Sequence, residues 1–154
     1  MSQYVEFFLK TKDDNFICLD ASSRNSWLYR ILNKEVNVPV PYGKIREVNP
    51  AFFENAINAA EMQRNSLIET LESERKMASQ ISAFNNSVKE KLDALYQIRE
   101  TINDYEDELE ELNYTIGYFK TMYSIASNLE YESNDAKLYC GIEVGRPTIE
   151  DIAS

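Results

Sequence analysis

The stretch Phe84-Asn85-Asn86-Ser87-Val88-Lys89-Glu90 lies near the middle of a run, Ala51 to Ile116, that contains neither glycine nor proline. A run that long without a helix breaker reads as long helix. The question is whether it is one rod or two arms. Two adjacent asparagines tolerate the left-handed turn at a helix end, and Ser87 with Glu90 three residues later forms a capping box for a new helix. Ser66 and Glu69 have the same spacing where plain helix is expected, so the box alone does not settle the matter. A turn near residue 86 leaves arms of 51–84 and 88–131, roughly 50 and 65 Å long at 1.5 Å per residue. Arms so matched can pair and return the end of the chain to its beginning, and the expected element is an antiparallel helical hairpin.

Hydrophobic periodicity supports helix throughout. Stepping by four and three from Phe53 reaches Ile57, Ala60, Leu67, Leu71, Ala78, Ile81, Val88, Leu92, Leu95, Ile102 and Leu109, with Arg64, Glu74, Asn85, Arg99 and Glu106 interrupting the seam. The phase survives across residue 86, which favours a rod. The impurity favours packing within one chain or a small bundle over a long parallel zipper. Past Leu109 the phase slips to Leu112, Ile116 and Phe119, which makes Asn113 to Gly117 a second candidate break.

Outward from the helices, the character of the chain changes. Pro39, Pro41, Gly43 and Pro50 cluster in one linker, and Gly141, Gly145 and Pro147 lie in the tail. Tyr4 to Lys10 alternates, with Val5, Phe7 and Leu9 on one face and Tyr4, Glu6, Phe8 and Lys10 on the other. Lys12 to Asn15 reads as a turn, and Phe16 to Leu19 as the second strand of a β-hairpin. Ser22 or Ser23 caps a short helix whose Trp27, Leu28, Ile31 and Leu32 share a face. Glu35 to Val48 reads as extended or irregular, and Asn49-Pro50 supplies an N-cap and a first-turn proline for the long helix. Lys137 to Val144 reads as a strand, followed by a polar tail. Two strands alone are marginal in water, so residues 137–144 are expected to join the hairpin. The fold class is α+β and predominantly helical. A small head is formed by residues 1–48, a helical hairpin by 50–131, and residues 137–154 bring a strand back to the head.

Charge and composition narrow the function. The chain has 154 residues, no histidine and a formal net charge of −10. Without histidine there are no His-based triads or His metal sites. The acidic balance opposes direct binding to nucleic acid or anionic lipid. No apolar run is long enough to span a membrane, and no basic segment followed by an apolar one marks a signal peptide, so the cytoplasm is the expected compartment. Cys18 and Cys140 sit in apolar runs and are expected to be buried free thiols. Asp104, Glu106 and Glu108 are spaced like part of a calcium loop but lack the glycine such a loop needs, so no metal and no cofactor is expected. Ser79 near Lys76 and the scattered carboxylates form no catalytic constellation, and no phosphate-binding glycine loop occurs. The chain is expected not to be an enzyme.

What remains is a surface. Residues 51–154 carry the net negative charge, densest in Glu100, Asp104, Glu106, Asp107, Glu108, Glu110 and Glu111. Seven of ten tyrosines fall between residues 96 and 139, and tyrosine favours interfaces because it joins a broad apolar ring to a polar tip. Glu106, Asp107, Glu110 and Glu111, flanked by Tyr105 and Tyr114, therefore form the expected docking surface for a basic protein. Trp27 and Tyr29 on the head form a second candidate. An impure seam leaves apolar surface that a lone hairpin cannot cover, so a homo-oligomer through the helices is expected.

The opening, Tyr4-Val5-Glu6-Phe7-Phe8-Leu9-Lys10, Asp14-Asn15-Phe16-Ile17-Cys18-Leu19 and Ser22-Ser23-Arg24-Asn25-Ser26, resembles small uncharacterised proteins encoded by phages and prophages of Gram-positive hosts. The resemblance implies an accessory protein with a β-hairpin start and no known catalytic residues, acting in the host cytoplasm. It also gives the acidity a second meaning, since small acidic phage proteins include nucleic-acid mimics that inhibit defence nucleases of the CRISPR or restriction type.

Overall fold

A computed structural model describes residues 4–22, 26–84, 86–132 and 135–154. Asn49 accepts a hydrogen bond from the Phe52 amide through its side chain, and Pro50 fills the first turn, so the first long helix starts where the sequence marks it. With the elements numbered in chain order, the order is β1 (Val5–Lys10), β2 (Phe16–Ser22), α1 (Ser26–Arg30) continuing as a π-helical turn over Ile31–Glu35, β3 (Ile45–Glu47), α2 (Pro50–Gln80), α3 (Val88–Glu132) and β4 (Lys137–Ile142). The protein is α+β, and 63% of the described residues are helical.

The chain reverses between α2 and α3. Single turns of 3₁₀ helix follow α2 at Ile81–Ala83 and lie in the tail after β4 at Ile149–Asp151. Ser87 Oγ accepts from the Glu90 amide at 3.2 Å, Asn86 donates its side-chain amide to Glu90 at 2.8 Å, and Lys91 reaches back to the Ser82 carbonyl. No break occurs at Asn113 to Gly117, where α3 is continuous. The apparent phase slip past Leu109 is instead the true seam of α3. Leu95, Ile98, Ile102, Tyr105 and Leu109 are half-buried and Leu112, Ile116 and Phe119 fully so. Val88 and Leu92, which continue the phase of α2, point into solvent. A turn resets helical phase, and the survival of the heptad across residue 86 is coincidental.

At 1.5 Å per residue α3 is about 20 Å longer than α2, and its C-terminal half packs on the head. The four-stranded antiparallel sheet runs β2-β1-β4-β3, with Phe7 opposite Cys140 and Ile45 opposite Gly141. The returning strand therefore sits inside the sheet, and the linker expected to be irregular contributes a fourth strand at its edge. One sheet face presents Val5, Phe7, Leu138, Cys140 and Ile142 to Phe53, Ala56 and Ala60 of α2 and Leu112, Ile116, Phe119 and Met122 of α3. Ring centroids of Phe7 and Phe53 are 6.0 Å apart and those of Phe53 and Phe119 6.5 Å. Trp27, Leu28, Ile31 and Leu32 close this core from the side.

The second face is also covered. Phe8, Ile45 and Tyr139 are buried against Phe16, Val144 and Ile152, so β1 is apolar on both faces rather than alternating with solvent. The tail expected to be merely polar provides the cover. Ile152 bridges to Ile45, and the Ala153 amide donates to the Ile45 carbonyl at 2.8 Å. Glu6 is buried on this face because its carboxylate accepts the amides of Val144 at 2.9 Å and Gly145 at 3.1 Å. A Cβ on Gly141 would come within 2.8 Å of both Ile45 Cγ2 and Val144 Cγ2, so only glycine fits there.

Strand β2 is the open edge. Phe7 pairs with Asp20 but Phe8 with Cys18, which leaves Leu19 as a bulged residue. Bulges blunt an edge and re-aim side chains. Cys140 is fully buried, whereas Cys18 is exposed, contrary to expectation, because it lies on this edge. Cys18 and Cys140 flank β1 from opposite sides, about two strand spacings (~9.6 Å) apart, too far for a disulfide.

Candidate interaction surface

A 45-residue helix that packs on one partner helix and one small head cannot be covered all round. On α3, steps of three and four trace one uncovered stripe: Val88, Leu92, Tyr96, Arg99, Asn103, Asp107, Glu110 and Tyr114, all exposed. Residues at this spacing share a helix face. The stripe is apolar near the hairpin tip and acidic near the head, and it extends about 39 Å. The Tyr96 phenol donates to the Glu100 carboxylate, which raises its pKa and keeps it neutral.

The expected site residues divide on this geometry. Asp107, Glu110 and Tyr114 lie together on the stripe, with Tyr114 65% exposed. Glu106 is exposed at its border and forms an ion pair with Arg75 of α2 at 3.3 Å. Glu111 does not belong to the surface. It is half-buried, and its carboxylate accepts the Trp27 amide at 3.2 Å, satisfying an open donor at the start of α1. Tyr105 is half-buried in the seam.

The head candidate does not stand as drawn. Trp27 is 7% exposed and belongs to the core, with the Arg30 guanidinium 4.6 Å from its ring centre, and Tyr29 packs partly buried against the same cluster. A tryptophan on the apolar face of a five-residue helix has nowhere else to go once the long helices close over it.

Other tyrosines lock the assembly rather than line a surface. The Tyr118 hydroxyl donates to the Asp20 carboxylate on β2, and Tyr123 donates to Glu54 on α2 at 3.3 Å. Burial, then the Asp20 hydrogen bond, pushes the Tyr118 phenol well above its ordinary value. The bulge at Leu19 turns Asp20 toward α3, and sequence alone gave no sign of this contact. Ser79 donates to the Lys76 carbonyl at 2.7 Å, which is ordinary helix chemistry. Among the described residues no group of three or more Cys, Asp or Glu gathers as metal ligands, and no helix is long and apolar enough to cross a membrane.

No protein family matches this chain, and neither does any curated protein or solved structure. The surface must be interpreted from its own chemistry.

Proposed function

We propose that this protein is a non-enzymatic interaction module, a phage or mobile-element accessory protein of the cytoplasm that docks a basic protein partner on the acidic half of the α3 stripe. The observation that carries this reading is that Asp107, Glu110 and Tyr114 stay on one exposed face while Glu106 pairs with Arg75 and Glu111 accepts the Trp27 amide. A basic partner gains steering from the charge and contact area from the tyrosine ring. Self-association through the helices belongs to the same reading. The alternative, an acidic mimic that fills the nucleic-acid channel of a defence nuclease, draws less support. Such a mimic needs a one-sided row of charges, and at 100° per residue Asp104, Asp107, Glu108 and Glu110 fan over about 160° of the helix.

The test is affinity capture from a Gram-positive host lysate with identification by mass spectrometry, followed by Asp107→Lys with Glu110→Lys. Glu111 is left intact because it caps α1. The fold should survive, since exposed charges contribute at most about 1 kcal/mol, while partner binding should weaken and lose its salt dependence. Unchanged binding would mean that the acidic face is only solvated.

A further inference from the structure

The hairpin tip exposes apolar surface that none of the described residues covers. Val88 is 76% exposed, Leu92 61% and Tyr96 65%, and they follow one another at intervals of four on α3. Beside them lies a groove of about 320 Å³ between the two helices, lined by Ala78, Ile81, Val88, Leu92 and Leu95 together with Ser79, Ser82 and Lys91. Exposed apolar side chains scattered singly need no explanation, but three in a row beside an apolar groove mark a binding surface.

We infer that this tip binds the tip of a second copy, with the two α3 helices antiparallel and Leu92 at the two-fold axis. The inference rests on reading the helices as the binding element, and it assigns self-association to one place. Three features select the occupant and the register. The first is apolar matching. Reversal about Leu92 sets Val88 against the second copy's Tyr96, Tyr96 against the second copy's Val88, and the two Leu92 side chains against each other. A single two-fold axis is how most soluble homodimers close.

The second is charge on the flank. Lys89 and Asp93 are both exposed, on the same side of the stripe, and neither forms an ion pair among the described residues. In an antiparallel helix pair, equal flanks face each other. Lys89 then lies about 3 Å along the axis from the second copy's Asp93, at 1.5 Å per residue, and symmetry makes the pair twice, so two lysines offset the two Asp93 carboxylates that approach equally closely across the axis. The third is where the register leaves the acidic stretches. Asp107 is fifteen residues beyond Leu92, so the two copies' Asp107 residues lie about 45 Å apart, far beyond a Debye length of about 8 Å. Sliding to a longer overlap would bring the seven-carboxylate stretches together.

The contact is small. Val88, Leu92 and Tyr96 present roughly 400 Å² per copy, and with the groove walls the pair approaches about 1,000 Å², at the lower edge of specific interfaces. The dimer is therefore concentration-dependent, and the acidic halves of both stripes remain open to a partner.

Light scattering across low to high micromolar protein tests this. The mass should rise from 17.9 kDa toward twice that value. Leu92→Glu should weaken dimerisation about tenfold or more, with helical circular dichroism unchanged because the side chain is exposed. Lys89→Glu and Asp93→Lys should each weaken it, and the two together should restore it. In a Cys18→Ser background with oxidised glutathione added as the oxidant, Leu92→Cys should form a disulfide between copies. Tyr96→Cys should not, because its two copies lie about 12 Å apart along the axis. A monomer at high micromolar concentration, a dimer indifferent to Leu92→Glu, or cross-linking through position 96 in place of 92 overturns the inference. A monomer that still captures its partner through Asp107 and Glu110 overturns this inference alone. A dimer indifferent to Asp107→Lys with no captured partner overturns the docking reading alone.

Discussion

Replacing Tyr118 with phenylalanine removes one oxygen from the contact that ties α3 to the open edge of the sheet. The phenol is half-buried and donates to an ionised carboxylate, Asp20, across a sequence separation of 98 residues. Hydrogen bonds to charged groups contribute about 1.5–3 kcal/mol net, and partial solvent access at Asp20 lowers the expectation to about 1–2 kcal/mol. For a chain of this size that corresponds to a fall of roughly 3–6 °C in the thermal midpoint. Asp20→Asn keeps an acceptor oxygen and should cost less, and the double variant should be little worse than Tyr118→Phe, giving a coupling energy of about 1 kcal/mol. The pH dependence is a second signature. Burial and the Asp20 carboxylate raise the folded phenol above its unfolded value near 10. Its stabilisation is thus complete below about pH 10 and is lost as pH rises beyond it. The buried Cys140 thiol, also raised, erodes stability in the alkaline range as well. Cys140 is present in both proteins, so the difference between them isolates Tyr118. Urea unfolding followed by circular dichroism at pH 7 and above pH 10 measures both effects. A Tyr118→Phe protein within about 0.5 kcal/mol of wild type at pH 7, with an unchanged alkaline slope, would refute the assignment of a stabilising clamp.

Two further outcomes follow from the head. Gly141→Ala drives a methyl group against Ile45 and Val144 and should destabilise by about 1–3 kcal/mol, read as a lowered midpoint in thermal unfolding. Thiol labelling of the native protein at neutral pH should modify Cys18 and spare Cys140 until denaturant is added, and simultaneous labelling of both would contradict the burial of β4.

The hairpin was legible because its signals are local: the long run without glycine or proline, the cap at Asn49-Pro50, and the box at Ser87 and Glu90. The paired faces were less so. Heptad counting carried the phase of α2 through Asn85 and placed Val88 and Leu92 in the seam, although a reversal of the chain leaves no reason for phase to persist. The alternation in β1 separates Glu6 and Phe8 from Val5 and Phe7, but it does not tell that both faces are covered, since a hairpin with alternating residues ordinarily has one wet face. Nothing local announces that a tail some 140 residues later will cover it. The site shows the same division. Charge density and tyrosine content single out Asp107, Glu110 and Tyr114, and the structure shows these three exposed on one face. Glu111 and Trp27 were misplaced because their roles depend on α1 meeting α3, a long-range contact with no mark in either segment.

The pairing of β1 with β4 sets an order on synthesis. Val5 cannot find Ile142 until nearly the whole chain has emerged, so β1 spends most of translation with at most β2 beside it, and its apolar residues lack their cover. Closing a loop of that length in an open coil is slow, and loop-closure entropy grows with the logarithm of the separation. The helical hairpin shortens the search. Once α2 and α3 have paired, the two ends of the loop emerge at the same end of the rod, and the strand that completes the sheet is delivered to its partner. The helical hairpin is thus expected to act as a folding scaffold for the head, and proteins with a weakened tip turn should show delayed head assembly well before they lose final stability.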